Sequence, residues 1–233
     1  MRPSKEQGGK TMPGERLDEQ VMALRAAKEF QDGMIINLGV GIPTYCSNFV
    51  PPEREVLFHS ENGVIGFGPI IDTADEADNR LINAGGQPIS KQPGMALMDN
   101  AESFVIIRGG HIDITVLGSL QVSEKGDLAN YRMPGKQVGN LGGGQDLAFC
   151  AKRVIALMIH TTKEGAPRIV KECTEPITAP ECVSQIITDI AVIDVTPGGL
   201  LLREVAPGIT VEDVQSVTEP KLIISPDLKE IQL

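Results

Sequence analysis

Short, continuous apolar runs recur along this 233-residue chain, separated by glycine-containing turns and by segments with helical periodicity. Runs of this kind are typical of strands that are buried on both faces of a sheet, and in α/β proteins they alternate with helices. We therefore predict an α/β fold with an open, mostly parallel sheet flanked by helices. The apolar runs lie at 34–38, 56–58, 104–107, 114–117, 154–159 and 191–195.

Helix signals stand between several of these runs. Pro43 is suited to the first turn of a helix, and the glycines at 142–144 precede another helical segment. Thr178 with Glu181 three residues later has the pattern of a capping box, which predicts a helix across 183–187, and a last helix is expected near 210–217. The first helix is predicted from a stripe of four apolar residues and ends before Gly33: Leu17, Val21, Leu24 and Ala27.

The domain organisation and the charge limit the possible functions. We expect a disordered tail at 1–15 and one domain at 16–233, since no linker divides the chain. A net charge of −10 makes nucleic acid and anionic membranes poor partners. The polar N-terminus lacks the apolar region of a signal peptide, and no apolar stretch approaches the ~18 residues of a membrane span. These features predict a cytoplasmic protein.

Cysteine and histidine are sparse in this chain. Its four cysteines and three histidines show no spacing typical of zinc sites, so we expect no metal centre. For the histidines a structural, hydrogen-bonded role is favoured over catalysis, although His59 stands close enough to Glu61 in sequence to perturb its carboxylate.

Three glycine-rich segments follow predicted strands, at 37–43, 60–68 and 139–145. In open α/β sheets, ligands bind beyond the carboxyl ends of the strands, and glycine lets the backbone approach a ligand closely. None of the three completes a dinucleotide-binding or P-loop fingerprint. The segment Ser60-Glu61-Asn62-Gly63 suits a solvated turn, but a carboxylate among small residues at a strand end also suits attack on a bulky thioester.

Six motifs in fixed order decide between these interpretations. They are N-L-G-V-G-I-P at 37–43, S-E-N-G at 60–63, L-I-N-A-G at 81–85, I-R-G-G-H at 107–111, G-D-L-A-N at 126–130 and P-G-K at 134–136. With these motifs the chain resembles the β subunits of family I coenzyme A transferases, the 3-oxoacid CoA-transferase group, over about residues 17 to 230.

The resemblance implies specific roles for residues of the site. Glu61 would be the nucleophile of a ping-pong reaction that moves CoA from an acyl-CoA to a small carboxylic acid, such as a 3-oxo acid, through a glutamyl-CoA thioester. The amide of Gly143 would hold the thioester oxyanion. Asn37, Gly39, Gly144 and Gln145 would line the CoA and acyl site. The glycines also suit a tight turn only, and Asn37 also suits backbone capping at a strand end.

The resemblance also implies an α subunit as partner, in a heterodimer or an α2β2 assembly, with coenzyme A as substrate and no separate cofactor. Four positions depart from the usual pattern: His59 replaces Gln, Gly144-Gln145 replaces Ala-Met, and Ile159 replaces Glu. Two other functions remain as alternatives. One is a non-catalytic, ligand-sensing subunit, which would not need the S-E-N-G motif. The other is a sugar-phosphate isomerase on a related fold, whose phosphate-binding loops are not found here.

Overall fold

A computed structural model describes residues 14–73, 75–132 and 139–232 of the chain. The predicted tail at 1–15 lies outside these residues except for its last two positions, and so does the P-G-K motif at 134–136. Within the described residues no helix is long and apolar enough to cross a membrane.

The described chain contains four α-helices, one 3₁₀ helix and thirteen strands. The 3₁₀ helix spans Ile42–Asn48, and the α-helices are α1 (Glu19–Ala27), α2 (Asn100–Arg108), α3 (Gly144–Cys150) and α4 (Val211–Ser216). The strands are β1 (Ile35–Leu38), β2 (Leu57–Ser60), β3 (Val64–Phe67), β4 (Ala96–Leu97), β5 (Ile114–Leu117), β6 (Gln121–Ser123), β7 (Leu128–Ala129), β8 (Arg153–Leu157), β9 (Ile169–Val170), β10 (Val183–Ile187), β11 (Ala191–Thr196), β12 (Gly199–Val205) and β13 (Ile223–Glu230).

Ten of these strands form one sheet in the order β13-β12-β11-β10-β8-β5-β1-β2-β3-β4. Its centre, from β10 to β2, is parallel, and antiparallel strands extend it on both sides. All four residues of β5 are buried, so both faces are covered at the centre of the sheet. The predicted fold class, an open and mostly parallel sheet flanked by helices, is confirmed. Three further strands, β7, β6 and β9, form a small second sheet.

Local signals account for several element ends. The Asp18 side chain accepts a hydrogen bond from the Val21 amide (2.8 Å) and caps α1. The last helix, expected near 210–217, is confirmed as α4, and Thr210 and Asp213 form a complete capping box at its start. Pro43 lies in the first turn of the 3₁₀ helix, where its missing N–H removes no hydrogen bond.

Two predicted elements are wrong. Residues 104–107 belong to α2, whose N-cap Asp99 accepts from the Glu102 amide (2.8 Å), whereas their apolar character predicts a strand. Residues 183–187 form β10 and not a helix. The Thr178 hydroxyl, expected to be a cap, instead donates to Asn130 Oδ1 (2.7 Å).

The predicted loop at 60–68 is also shorter than expected. Residues 64–67 are β3, which pairs with β2 in a hairpin, so the turn is confined to the residues around Glu61. The main core is aliphatic, with an aromatic contact between Phe30 and Phe58 at 6.1 Å. This core fixes the strands whose carboxyl ends carry the site.

Candidate active site

The carboxyl ends of β2, β1 and β5 border a cavity of about 510 Å³. Glu61 comes from the end of β2, Gly39 and Val40 from the end of β1, and 117–120 from the end of β5. The glycines that begin α3 close another side. This is the position at which ligands bind in open α/β sheets. The lining residues are Gly39, Val40, Glu61, Ala84, Leu117, Gly118, Ser119, Leu120, Asn130, Asn140, Leu141, Gly142, Gly143, Gly144 and Leu147.

Neighbouring segments hold the backbone around Glu61 in place. Asn100 in α2 donates its side-chain amide to the Glu61 carbonyl oxygen (3.0 Å), and Asn62 donates to the Ile82 carbonyl (2.8 Å). The Ser60 hydroxyl accepts a hydrogen bond from the Ala84 amide (2.8 Å). Because these contacts come from two separate parts of the chain, the turn that presents Glu61 is tightly positioned.

Gly63 completes this turn, and no other residue fits there. Its φ of +112° lies in the region that L-residues avoid. A Cβ atom at this position would also overlap the Met98 carbonyl oxygen. The Met98 amide in turn donates a hydrogen bond to the Gly63 carbonyl (2.9 Å), which holds the two backbones together. The glycine of the S-E-N-G motif is therefore explained by backbone geometry.

One oxygen of the Glu61 carboxylate makes no hydrogen bond to the described residues. This atom, Oε2, is buried. A buried acceptor without a donor costs about 1–3 kcal/mol. No hydrogen bond to a described residue therefore has to break before this oxygen reacts.

Gly143 lies directly against this carboxylate. A Cβ atom built on Gly143 would be 3.4 Å from Glu61 Cγ and 3.1 Å from Phe104 Cζ, so a side chain would press on both. The absence of a side chain allows the backbone at 143 to approach the Glu61 side chain. The predicted pair, Glu61 and Gly143, is brought together at the cavity wall.

The other predicted site residues divide into two groups. Gly39 and Gly144 line the cavity, and Gly39 packs closely on β5, with its amide donating to the Val116 carbonyl (2.8 Å). Asn37 is fully buried within the sheet, and Gln145 donates its amide group to the Thr178 carbonyl (3.0 Å). Neither is among the residues that line the cavity. The structure shows no direct contact of either side chain with the cavity, so their binding roles stay predictions.

His59 is buried beside Asn37 rather than aimed at Glu61. Its Nδ1 lies 3.0 Å from Asn37 Nδ2 and its Nε2 lies 3.0 Å from Ser103 Oγ. Burial lowers the pKa of the His59 imidazole to about 4, because desolvation disfavours the charged ring. The ring is therefore neutral near pH 7.

His160, which follows β8, is also a buried histidine with both ring nitrogens in hydrogen-bond contact. Its ring nitrogens contact the hydroxyls of Thr188 and Thr218, both at 2.9 Å. Burial lowers the pKa of its imidazole to about 4 as well. Both rings have the hydrogen-bonded, structural environment that the sequence favours.

Sequence reasoning assigned no role to three polar residues of the cavity wall: Ser119, Asn130 and Asn140. Asn130 donates its side-chain amide to the Gly118 carbonyl (3.0 Å), which ties the G-D-L-A-N segment to the end of β5. Asn140 lies just before the glycines at 142–144. Asn130 belongs to the G-D-L-A-N motif and Asn140 to the glycine-rich segment at 139–145, and these are the signals that could have identified them. Among the described lining residues, Glu61 is the one charged side chain.

Comparison with known proteins identifies the class. The family model "Coenzyme A transferase" matches residues 20–216, so this chain belongs to the coenzyme A transferase family. The resemblance inferred from the motifs is confirmed.

Particular relatives are similar over most of this chain. The β subunit of a probable coenzyme A transferase from Bacillus subtilis (strain 168) is 44% identical over 207 residues, covering 89% of this chain and 95% of that protein. The human protein "Succinyl-CoA:3-ketoacid coenzyme A transferase 2, mitochondrial" is 48% identical over 210 residues, which are 89% of this chain but 40% of the human one.

Among solved structures, the apoenzyme of the acyl-CoA transferase YdiF from Escherichia coli O157:H7 has a similar fold, with a TM-score of 0.72 at 22% identity. The match covers 96% of this chain and 45% of YdiF. The chain thus spans less than half the length of YdiF and of the human relative.

Proposed function

We propose that this chain is the β subunit of a CoA transferase that moves CoA from an acyl-CoA to a small carboxylic acid, with Glu61 as the nucleophile. The observation that carries the proposal is the Glu61 carboxylate at the cavity wall, with a buried oxygen that has no partner among the described residues. The name of the human relative favours a 3-oxo acid as one of the two acids.

The reaction needs only the carboxylate and the two substrates. A Glu61 oxygen attacks the thioester carbonyl carbon of the acyl-CoA, the C–S bond breaks, and an acyl-glutamyl anhydride and CoA thiolate result. The thiolate attacks the glutamyl carbonyl carbon, which releases the first acid as a carboxylate and leaves a glutamyl-CoA thioester. The acceptor carboxylate then repeats both steps in reverse, and acyl-CoA leaves with Glu61 regenerated. No water enters, so the energy of the thioester is retained.

Gly143 supports the negative charge that develops in each tetrahedral intermediate. Its backbone adjoins the Glu61 side chain, and a preorganised amide aimed at an oxyanion is worth about 3–4 kcal/mol of barrier. The glycines at 39 and 144 let the substrate approach the backbone at the same wall. The absence of a cofactor from this scheme follows from its chemistry, in which CoA is itself a substrate.

A second subunit completes the site in this proposal. Both substrates are anions, yet the described residues that line the cavity supply no cation. The chain as a whole carries a net charge of −10, which adds to the repulsion. The Bacillus relative is itself named as a β subunit. We therefore place an α subunit over the cavity, in a heterodimer or an α2β2 assembly in the cytoplasm.

Chemical trapping tests the nucleophile. Incubation of the α–β complex with acyl-CoA, followed by borohydride, should reduce a glutamyl-CoA thioester at Glu61, and peptide mass spectrometry should locate it there. Glu61→Ala should lose the adduct and nearly all turnover. Glu102→Ala is the matched control, because it removes an exposed carboxylate from the neighbouring helix α2 and should keep both.

Two outcomes would overturn the assignment. An adduct that persists in Glu61→Ala, or wild-type turnover by that variant, would place the nucleophile elsewhere. A wild-type complex that binds acyl-CoA but forms no adduct and no product would favour the alternative of a non-catalytic, ligand-sensing subunit.

A further inference from the structure

His59 and Ser103 form a buried contact between β2 and α2, directly behind the candidate active site. Both side chains are completely buried, and His59 Nε2 lies 3.0 Å from Ser103 Oγ. β2 ends one residue before Glu61. The contact therefore joins the helix to the strand that delivers the nucleophile.

The orientation of Asn37 determines which way this hydrogen bond runs. Asn37 Nδ2 is 3.2 Å from the His59 carbonyl oxygen, which can only accept, so the amide must present its NH₂ group on this side. The same NH₂ group lies 3.0 Å from His59 Nδ1, which therefore accepts. The proton of the neutral ring is then on Nε2, and His59 donates to the Ser103 hydroxyl.

The same face of α2 touches the site at two further points. Asn100, three residues before Ser103, donates to the Glu61 carbonyl (3.0 Å). Phe104, one residue after Ser103, packs against Gly143, where a Cβ atom would lie 3.1 Å from Phe104 Cζ. Residues at this spacing share one face of a helix. A shift of α2 would thus move the backbone of Glu61 and the wall behind Gly143 together.

From this arrangement we propose that His59 and Ser103 are positioning residues, whose hydrogen bond fixes α2 against β2 and so sets the approach of Glu61 to Gly143. The proposal rests on the proposed function of Glu61. Burial of a polar pair in an aliphatic core is costly unless both members are hydrogen-bonded, and an apolar pair would fill the same space without that requirement. The directional bond supplies a defined register that apolar contact would not.

The chain offers a matched control for the loss of this bond. His160 Nε2 contacts Thr218 Oγ1 at 2.9 Å, and both residues are buried. Ser103→Ala and Thr218→Val each remove a hydroxyl group that contacts the Nε2 atom of a buried histidine, with little change in side-chain volume. Thr218→Val also removes the hydrogen bond from Thr218 Oγ1 to the Val214 carbonyl (2.7 Å), so it should lose at least as much thermal stability as Ser103→Ala, whereas only Ser103→Ala should change the chemistry.

The measurement is the single-turnover rate of formation of the Glu61-linked CoA thioester, in the α–β complex at saturating acyl-CoA. Ser103→Ala should slow this step about tenfold with KM little changed, since a displacement of a fraction of an ångström at a reacting group has an effect of this order. Thr218→Val should form the adduct at the wild-type rate.

Two amide substitutions at His59 provide a rescue test. The amide nitrogen of Gln reaches the place of Nε2 and can still donate to Ser103, whereas the shorter Asn reaches only the place of Nδ1. His59→Gln should therefore keep most of the rate, and His59→Asn should be slowed like Ser103→Ala. This pair also decides the matter if Ser103→Ala fails to fold.

The outcomes separate this inference from the function beneath it. If wild type forms no adduct on Glu61, the proposed function fails and the inference fails with it. If wild type forms the adduct but Ser103→Ala and His59→Asn form it equally fast, the positioning role is overturned and the nucleophile stands. If Thr218→Val slows adduct formation as much as Ser103→Ala does, the slowing reflects general destabilisation of the fold. This result would also overturn the positioning role of His59 and Ser103.

Discussion

Gly143→Ala is the substitution that most directly probes the geometry of the site. Gly143 has φ −81° and ψ −1°, which alanine adopts without strain, and the substitution leaves the backbone amide in place. The only change is a methyl group, placed 3.1 Å from Phe104 Cζ and 3.4 Å from Glu61 Cγ. Any effect on rate therefore reports the position of Glu61 and not the loss of a donor.

The size of the effect follows from these contacts. Carbon atoms pack best at about 3.5–4.0 Å, so Phe104 Cζ must retreat by roughly 0.4–0.9 Å and Glu61 Cγ by roughly 0.1–0.6 Å. A misplacement of ~1 Å can cost about 100-fold in rate. If the logarithm of the rate scales with the displacement of Glu61, kcat/KM should fall about 2- to 16-fold, or ~0.3–1.6 kcal/mol of barrier.

The assay is steady-state transfer by the α–β complex, with urea unfolding in parallel. Gly198→Ala is the control, because its methyl group would lie 3.7 Å from Thr196 Oγ1, an ordinary contact in the β11–β12 hairpin away from the cavity. The control should keep wild-type activity. Wild-type kcat/KM in Gly143→Ala would refute the reasoning, since the methyl group would then not reach the reacting carboxylate.

Three further predictions concern stability and assembly. Gly63→Ala should lower the free energy of unfolding by at least ~1–3 kcal/mol in urea titrations, since alanine avoids a φ of +112°; an unchanged midpoint would contradict this. Burial depresses the pKa of His160 to about 4 from ~6.5 when unfolded. The unfolded state then binds more protons than the folded state at these pH values. The contribution of His160 to stability is therefore complete above pH 6.5 and declines as the pH falls toward 4. His160→Gln should flatten the fall of the urea midpoint between pH 7 and 5, and an unaltered slope would exclude this histidine as a cause. The purified chain alone should show no transferase activity until its α subunit is co-expressed, and full activity alone would contradict the two-subunit proposal.

Much of the sheet was predictable because its central strands are continuously apolar. Residues 114–117 and 154–157 are the clearest cases, and both lie at the parallel centre. Residues 104–107 mislead because four apolar residues fit a helix as well as a strand. In α2 one side of this run is buried at Ile107, while Val105 is 70% exposed, a difference that depends on tertiary packing.

The helix predicted at 183–187 fails for another reason. Thr178 donates its hydroxyl to Asn130, 48 residues away in sequence, a partner that no local pattern reveals. The β-branched residues Val183, Ile186 and Ile187 favour the strand that forms. The tertiary contact and the strand propensity together outweigh the capping signal.

In the site, sequence identified residues better than it identified side-chain directions. Glu61, Gly39, Gly143 and Gly144 meet at one cavity because they follow the ends of strands or begin a helix. The direction of a side chain such as that of Gln145 depends on a carbonyl from another loop. Motifs carry information on which residues gather, and packing decides where each one points.

The two edges of the ten-stranded sheet bear on how this molecule avoids polymerising. In the described part of the chain, one edge strand, β4, has only two residues, which leaves too few free backbone groups to recruit another strand. The opposite edge, β13, carries Pro226 and Lys229 among its eight residues, and a proline and a charge both discourage an incoming strand. Both edges therefore disfavour pairing with a strand of another chain. Association with another subunit is therefore expected to use loops and helices, so that a closed assembly forms in which the sheet itself does not continue from one chain into the next.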